Sequence, residues 1–242
     1  MTVYFLACIF IIAFLFSACG QGGASGFIAV MGLFSVDPIW AKSSALILNV
    51  FVTLISFYNF YKSGHFIWRL FIPLIILSIP MAFLGASITV KAEIYRKVLG
   101  CCLLITAVSF FVAFNKTEDQ NVKLLPWWAG MLTGAIIGFI SGFVGIGGGI
   151  LLSPVMLFFK WGTFKQISSI TSLFILVNSV SGIGGILYSG TQLPTAIFIW
   201  ILIAMCAALI GSYWGSHKAP VTVLKKILGM VLLIASIKLL FI

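Results

Sequence analysis

Acidic side chains are scarce in this chain. Asp37, Glu93, Glu118 and Asp119 are the only four among 242 residues, against 14 Lys and Arg. Charged residues make up 7% of the total, where a soluble domain carries about 25%. All four acids fall between apolar segments, so the segments themselves hold no carboxylate. Proton pumps and cation-coupled carriers place carboxylates at mid-membrane. Their absence argues against a cation as the main cargo, although coupling through backbone carbonyls stays open.

Histidine is equally sparse. His65 and His217 stand in loops beside Gly64 and Lys218, so no serine in an apolar segment gains a base. Aspartyl and zinc mechanisms lack their carboxylates or ligands. The five cysteines, Cys8, Cys19, Cys101, Cys102 and Cys206, lie in apolar segments without a C-x-x-C pair and read as small apolar residues. No enzyme is expected, and no cofactor or metal is implied. Phe16-Ser-Ala-Cys19 resembles a lipoprotein cleavage site. The start, Met1-Thr-Val-Tyr4, has no basic n-region, so an uncleaved first helix is expected.

What is abundant is apolar. Hydrophobic residues reach 62% and the mean hydropathy is +1.25, the composition of an integral membrane protein, with a bacterial inner membrane as the expected location. Apolar runs cover 3–34, 44–61, 69–90, 97–114, 127–159, 166–188, 193–215 and 222–241. A simple helical span needs roughly 20 residues. Most runs fit; the first and fifth are too long for one straight crossing. The expected fold is all-α and polytopic, with about eight transmembrane segments. Its bases are scattered over short loops, which excludes nucleic acid and fits the positive-inside rule. They also supply a positive field for an anionic substrate.

The two over-long runs share a device. The fifth contains Gly142-Phe-Val-Gly-Ile-Gly-Gly-Gly-Ile-Leu-Leu-Ser-Pro154, with Gly145, Gly147, Gly148 and Gly149 in close succession. The first contains a weaker copy, Gly20-Gln21-Gly22-Gly23-Ala24. Glycine relaxes helical geometry and exposes backbone. Unwound backbone deep in a membrane survives only inside protein or beside water. Each long run is therefore expected to be a helix, a break and a short second helix, with Pro154 near the start of one such helix. Whether the second piece crosses or re-enters stays open.

Other landmarks repeat in order. Tyr61-Lys-Ser-Gly64 matches Leu187-Tyr-Ser-Gly190, Leu84-Gly85 matches Ile210-Gly211, and Arg96-Lys-Val-Leu-Gly100 matches Lys225-Lys-Ile-Leu-Gly229. The chain divides into two homologous four-segment halves, residues 1–114 and 126–242, joined by a polar linker at 115–125. Paired breaks in matching halves point to a transporter site. Eight crossings run the halves in the same sense, and a re-entrant piece is expected to keep that parity; a break that adds a full crossing would make each half odd and invert the repeat. Loops after the first, third, fifth and seventh segments hold Lys42, Lys91, Arg96, Lys97, Lys160, Lys165, Lys218, Lys225 and Lys226, against Lys62, Arg69, Lys116, Lys123 and Lys238 opposite. The richer side is expected to be cytoplasmic, with both termini outside. Trp40, Trp68, Trp127, Trp128, Trp161 and Trp214 near segment ends suit aromatic belts.

After each break comes a Ser/Thr-rich stretch. In the second half it is Ser168-Ser169-Ile-Thr171-Ser172, followed by Asn178, Ser179 and Ser181; in the first it is Ser43-Ser44, followed by Asn49 and Thr53. Such residues cap helices, and small residues such as Gly130, Gly134 and Gly138 let helices approach closely. The functional reading uses the same physics. Helix N-termini and hydroxyls form a site for an oxyanion without a buried cation.

At these residues the chain resembles the TauE/SafE sulfite exporter family of membrane permeases. The pattern G-x-x-G-x-G-G-G-x-x-x-x-P falls on Gly142, Gly145, Gly147, Gly148, Gly149 and Pro154, and K-x-x-S-S-x-T-S on Lys165, Ser168, Ser169, Thr171 and Ser172. Tyr188-Ser-Gly190, Gly211 and Lys225-Lys226 also match. The first half departs: Ala24 replaces the last glycine, Ala29 stands where Pro154 would be, and Lys42 occupies the slot of Ser168. The resemblance implies a secondary transporter of small sulfur-containing or organic anions such as sulfite, thiosulfate or sulfonates. The expected substrate-binding residues are Gly145, Gly147, Gly148, Gly149, Ser153, Ser168, Ser169, Thr171, Ser172 and Asn178, with Gly20, Gln21, Gly22, Gly23, Ser43, Ser44 and Asn49 opposite. Lys42 and Lys165 would attract the anion near the mouth. The partners are a small anion and the lipid bilayer, with homo-oligomerisation allowed. The alternative is a non-transporting membrane scaffold or assembly factor that uses its small-residue faces only for packing. A metal or cation carrier comes third, since the apolar segments hold no carboxylate.

Overall fold

The computed structural model describes residues 2–34, 36–88, 122–190 and 197–217, with isolated positions within 93–108 and 226–237. Among the described residues there are eight helices and no strand. They are α1 (Thr2–Ala18), α2 (Ala24–Leu33), α3 (Pro38–Lys62), α4 (Trp68–Ser87), α5 (Trp127–Val144), α6 (Gly149–Phe158), α7 (Phe164–Tyr188) and α8 (Phe198–His217). Five of them, α3, α4, α5, α7 and α8, are long and apolar enough to cross a membrane. The expected segments at 97–114 and 222–241, and the linker 115–125, fall largely outside the described residues, as do Lys91, Arg96, Lys116, Lys218, Lys225 and Lys238.

Local chemistry sets the helix starts. Asp37 Oδ1 accepts from Ile39 N at 2.9 Å and Trp40 N at 3.4 Å, and Pro38 follows at the first helical position of α3. Thr163 and Gln166 form a capping box at α7. The serines expected at these starts lie further in. Ser43 and Ser168 sit a turn inside their helices, and Ser43, Thr171 and Ser172 bond back to carbonyls four residues earlier. Pro154 also differs from expectation. It lies in the interior of α6, because that helix already begins at Gly149.

Glycine sets the helix contacts. A Cβ on Gly134, Gly138 or Gly142 of α5 would run into the backbone of Leu74, Ser78 or Ala82 of α4. The stripe is used for close packing. Numbers rise together on both helices, so α4 and α5 are parallel. Gly211 and Gly215 of α8 meet Phe14 and Ala18 of α1 in the same manner, so α1 and α8 are parallel. Asn59 of α3 donates to Ser212 of α8 at 2.7 Å, and Ser63 lies 3.4 Å from His217, so α3 shares that direction. Ser78 bonds Asn178 at 2.8 Å and Ser181 bonds Ile79 O at 2.7 Å, so α7 runs with α4.

The short helices turn back. Phe5 of α1 packs edge-on against Phe34 just past α2, and Gly26 of α2 faces Ile12 of α1. Lys123 N, before α5, donates to Lys160 O, after α6, at 2.8 Å. Each broken segment enters the bundle and returns to the end it came from. We call the end where α1 begins the near end and the end where α3 finishes the far end. Then α1 and α3 rise from the near end and α4 returns to it, while α5 and α7 start at the far end and α8 returns there. Taken in order, α1, α3 and α4 thus run opposite to α5, α7 and α8, so the re-entrant pieces do not keep the parity expected of them. The cause is the hairpin return at each glycine break.

The returns also regroup the bases. Lys62, Arg69, Lys123, Lys160 and Lys165 sit at the far end; Lys42 sits at the near end with Asp37. Trp40, Trp68, Trp127 and Trp128 are exposed at helix ends, as belts require. Trp161 is instead buried with Leu70, Leu125 and Met156, and Trp214 stacks on Phe14.

Candidate functional site

The two hairpins bring their glycine runs to the middle of the bundle. Gly23 and Gly148 are the N-cap positions of α2 and α6, at φ +84° and +82°. That left-handed backbone is the reason for glycine there. Neither helix has a side-chain cap. A helix N-terminus leaves up to four backbone N–H groups without intrahelical partners and carries the positive end of the helix dipole. α2 runs from its break to the near end, and α6 from its break to the far end. Their uncapped, positive ends therefore converge inside the protein.

Each break is held by the helix that follows the other. The first lies against α7, where Ser172 Oγ and Thr171 Oγ1 donate to Gly20 O at 2.9 and 3.4 Å. A Cβ on Gly20 would overlap Ser168. The second lies against α3, where Asn49 Nδ2 is 3.5 Å from both Ile146 O and Ser179 Oγ. Asn49 also faces Gly22, so one amide touches both breaks. Gln21 Nε2 joins them directly by donating to Ser153 Oγ at 2.5 Å, and Gln21 Oε1 faces Gly149.

The surroundings are polar, buried and uncharged. Ser168, Ser169, Thr171, Ser172 and Ser153 are buried, as are Gln21, Ser43, Ser44 and Asn49. Several polar atoms here have no hydrogen-bond partner: Gln21 Oε1, Ser25 Oγ, Ser44 Oγ, Asn49 Oδ1, Ser141 Oγ and Ser169 Oγ. A buried polar group left unpaired costs about 1–3 kcal/mol, so a polar ligand engaging these atoms recovers that cost. Among the described residues no group of His, Cys, Asp and Glu has the makings of a metal site.

Not every expected site residue joins this centre. Asn178 accepts from Ser78 Oγ and donates to Phe174 O at 3.0 Å, which ties α7 to α4. Ser43 spends its hydroxyl on Ile39 O. The two lysines sit at opposite ends. Lys42 Nζ donates to Ala86 O at 3.4 Å with its stem against Gly145, and Lys165 Nζ donates to Ser216 O at 3.3 Å. One residue at the centre was not singled out from sequence. Ser141 lies one turn before Gly145, its carbonyl accepts from Gly145 N and Ile146 N, and its side chain faces Gly148. Its spacing of four from Gly145 was the available signal.

Comparison with known proteins identifies the family. Residues 5–239 match the family model described as sulfite exporter TauE/SafE. The chain is 36% identical over 235 residues to y4hK of Sinorhizobium fredii, covering 96% of this chain and 95% of that protein. It is 27% identical over 196 residues to MJ0441 of Methanocaldococcus jannaschii, covering 76% and 71%. It is 25% identical over 237 residues to YjnA of Bacillus subtilis, covering 91% and 92%. Each of these relatives carries the description "probable membrane transporter protein". No solved structure matches the chain. With apolar helices fit to span a bilayer and a family match over nearly its full length, this integral membrane protein belongs to the TauE/SafE sulfite exporter family.

Proposed function

We propose that the chain is a secondary permease for small sulfur-containing or organic anions, such as sulfite, thiosulfate and sulfonates, bound where the two glycine breaks meet. The observation that carries this reading is the convergence of two uncapped helix N-termini, those of α2 and α6, beside unpartnered buried hydroxyls. A helix N-terminus stabilises negative charge by roughly 0.3–1 kcal/mol, and up to about 2 kcal/mol when partly buried. Two such ends with neutral donors hold an oxyanion weakly enough to release it. Gly145 to Gly149 present backbone, and Ser168, Ser169, Thr171 and Ser172 present the α7 side of the site. Gln21, Ser44 and Asn49 present the first-half side.

The opposed hairpins also support a pair of inverted repeats, 1–114 and 126–242, joined by the polar linker 115–125, with the site between them. The base-rich far end is then cytoplasmic by the positive-inside rule, and α1 begins outside. Flux through liposomes tests the function. Wild-type protein is expected to move at least one of sulfite, thiosulfate, a sulfonate or sulfate, and Gly148→Leu to stop it while still inserting. No movement of any of these anions by the wild type would leave a scaffold as the better account.

A further inference from the structure

The chain's only histidines are brought together at the far end. His217 closes α8. Its Nδ1 lies 2.8 Å from Ser216 Oγ and 3.2 Å from Tyr213 O, and its Nε2 lies 3.4 Å from Ser63 Oγ at the end of α3. Its ring stacks on Tyr213 at 4.7 Å between centroids. Lys165, in the first turn of α7, donates to the carbonyl of Ser216. His65, in the connection between α3 and α4, completes the group. Its Nδ1 is buried without a hydrogen-bond partner.

The electrostatics of His65 are set by this group. Burial first, then the charges of Lys165 and His217, hold its proton affinity below that of an ordinary imidazole. Lys62 and Arg69 flank the connection and are exposed. No described carboxylate acts on His65. The protonated form of this ring is therefore disfavoured beside Lys165 and His217.

The cluster lies in line with the central site. Lys165 is one turn before Ser168, which lies against Gly20 of the first break. Gly215, two residues before His217, packs on Ala18, the last residue of α1.

We propose that His65, Lys165 and His217 form a second anion subsite at the far end, and that an oxyanion seated there draws a proton onto His65. The inference rests on the reading of the chain as an anion permease. An oxyanion between Lys165 and His217 cancels the charges that oppose protonation. The proton affinity of His65 then rises, and one proton is taken up from solution as the anion binds. Linkage makes the effect reciprocal: a protonated His65 tightens anion binding by the same factor. Affinity is therefore full at low pH and is lost as pH rises through the raised, anion-bound pKa of His65. The ring supplies a titratable coupling group that the carboxylate-free helices do not.

Calorimetry on the full chain in detergent tests this with thiosulfate, a probe that stays fully ionised. Titrations in bis-Tris and in Tris, two cationic buffers with different ionisation heats that do not compete for an anion site, separate proton uptake from binding heat. Wild-type protein is expected to take up protons on binding, and its affinity to fall on the order of tenfold per pH unit between the free and bound pKa values of His65. His65→Gln should bind more weakly, without proton uptake or pH dependence. Binding with no proton uptake, or a pH profile unchanged in His65→Gln, overturns the coupled subsite and leaves the permease reading standing. Absence of thiosulfate binding together with absence of flux for every anion overturns both. Lys165→Gln serves if His65→Gln does not fold. It should move the midpoint of the pH profile upward, and an unmoved midpoint also overturns the subsite.

Discussion

Gln21 Nε2 donates to Ser153 Oγ at 2.5 Å, a bond between residues 132 positions apart that ties one glycine break to the other. Both groups are buried. Gln21→Ala leaves the Ser153 hydroxyl without this donor, at a cost of about 1–3 kcal/mol. The expected result is a lower thermal midpoint and a loss of anion flux larger than the stability change accounts for. Flux equal to wild type at matched protein level would argue that the bond is structural only.

Gly148 combines a left-handed backbone with tight surroundings. A Cβ there would lie 2.9 Å from Phe174 Cε1 and 3.1 Å from Ser141. Gly148→Ala is expected to cost about 1–3 kcal/mol in backbone strain and to lower flux strongly, with Gly148→Leu inactive. Membrane insertion, read from protein level in the membrane fraction, should persist in both.

Gly134 and Gly64 separate packing from backbone conformation. A Cβ on Gly134 would strike the carbonyl of Leu74, whereas Gly64, at φ +75°, has open space around it. Gly134→Leu is expected to destabilise by more than the roughly 1–3 kcal/mol of ordinary overpacking, because the obstacle is backbone. Gly64→Ala should cost about 1–2 kcal/mol, from backbone conformation alone. Thermal unfolding in detergent compares them, and a milder effect at Gly134 would contradict the interlocked α4–α5 pair.

Ser172 and Thr171 share Gly20 O. Ser172→Ala removes the shorter bond, worth about 0.5–1.5 kcal/mol net, and should impair flux through the first break. Ser172→Thr, which keeps the hydroxyl, should retain most of it. Equal losses in the two variants would show that the hydroxyl alone does not set the flux.

Sidedness is open to a direct check. Single cysteines at Lys62 and at Asp37, in a background without native cysteines, lie at the far and near ends. Impermeant thiol reagents are expected to reach the first from the cytoplasm and the second from outside. The reverse pattern would invert the proposed orientation.

The helical membrane character was legible because apolar runs have one solution in a bilayer. The glycine runs were legible as breaks, because few other residues accept the backbone that Gly23 and Gly148 adopt. The direction after each break was not legible. It depends on contacts such as Phe5 with Phe34 and Lys123 with Lys160, which join residues on different elements. The caps were misjudged for a related reason. Ser168 and Ser43 have the right chemistry to start a helix, but Thr163 and Asp37 stand at the actual ends. Asn178 and Asn49 look alike in sequence, and only packing assigns one to α4 and the other to the breaks.

The glycine contacts bear on how such a molecule can move. α4 belongs to the first half of the chain and α5 to the second, yet their backbones interlock along several turns. α1 and α8 are locked across the halves in the same way. The mechanical bodies are therefore not the sequence halves. Swinging one half against the other would have to unzip two backbone-to-backbone seams at once. The short helices α2 and α6 instead meet their neighbours through side chains, Gly26 against Ile12 and Gly149 against Ile175.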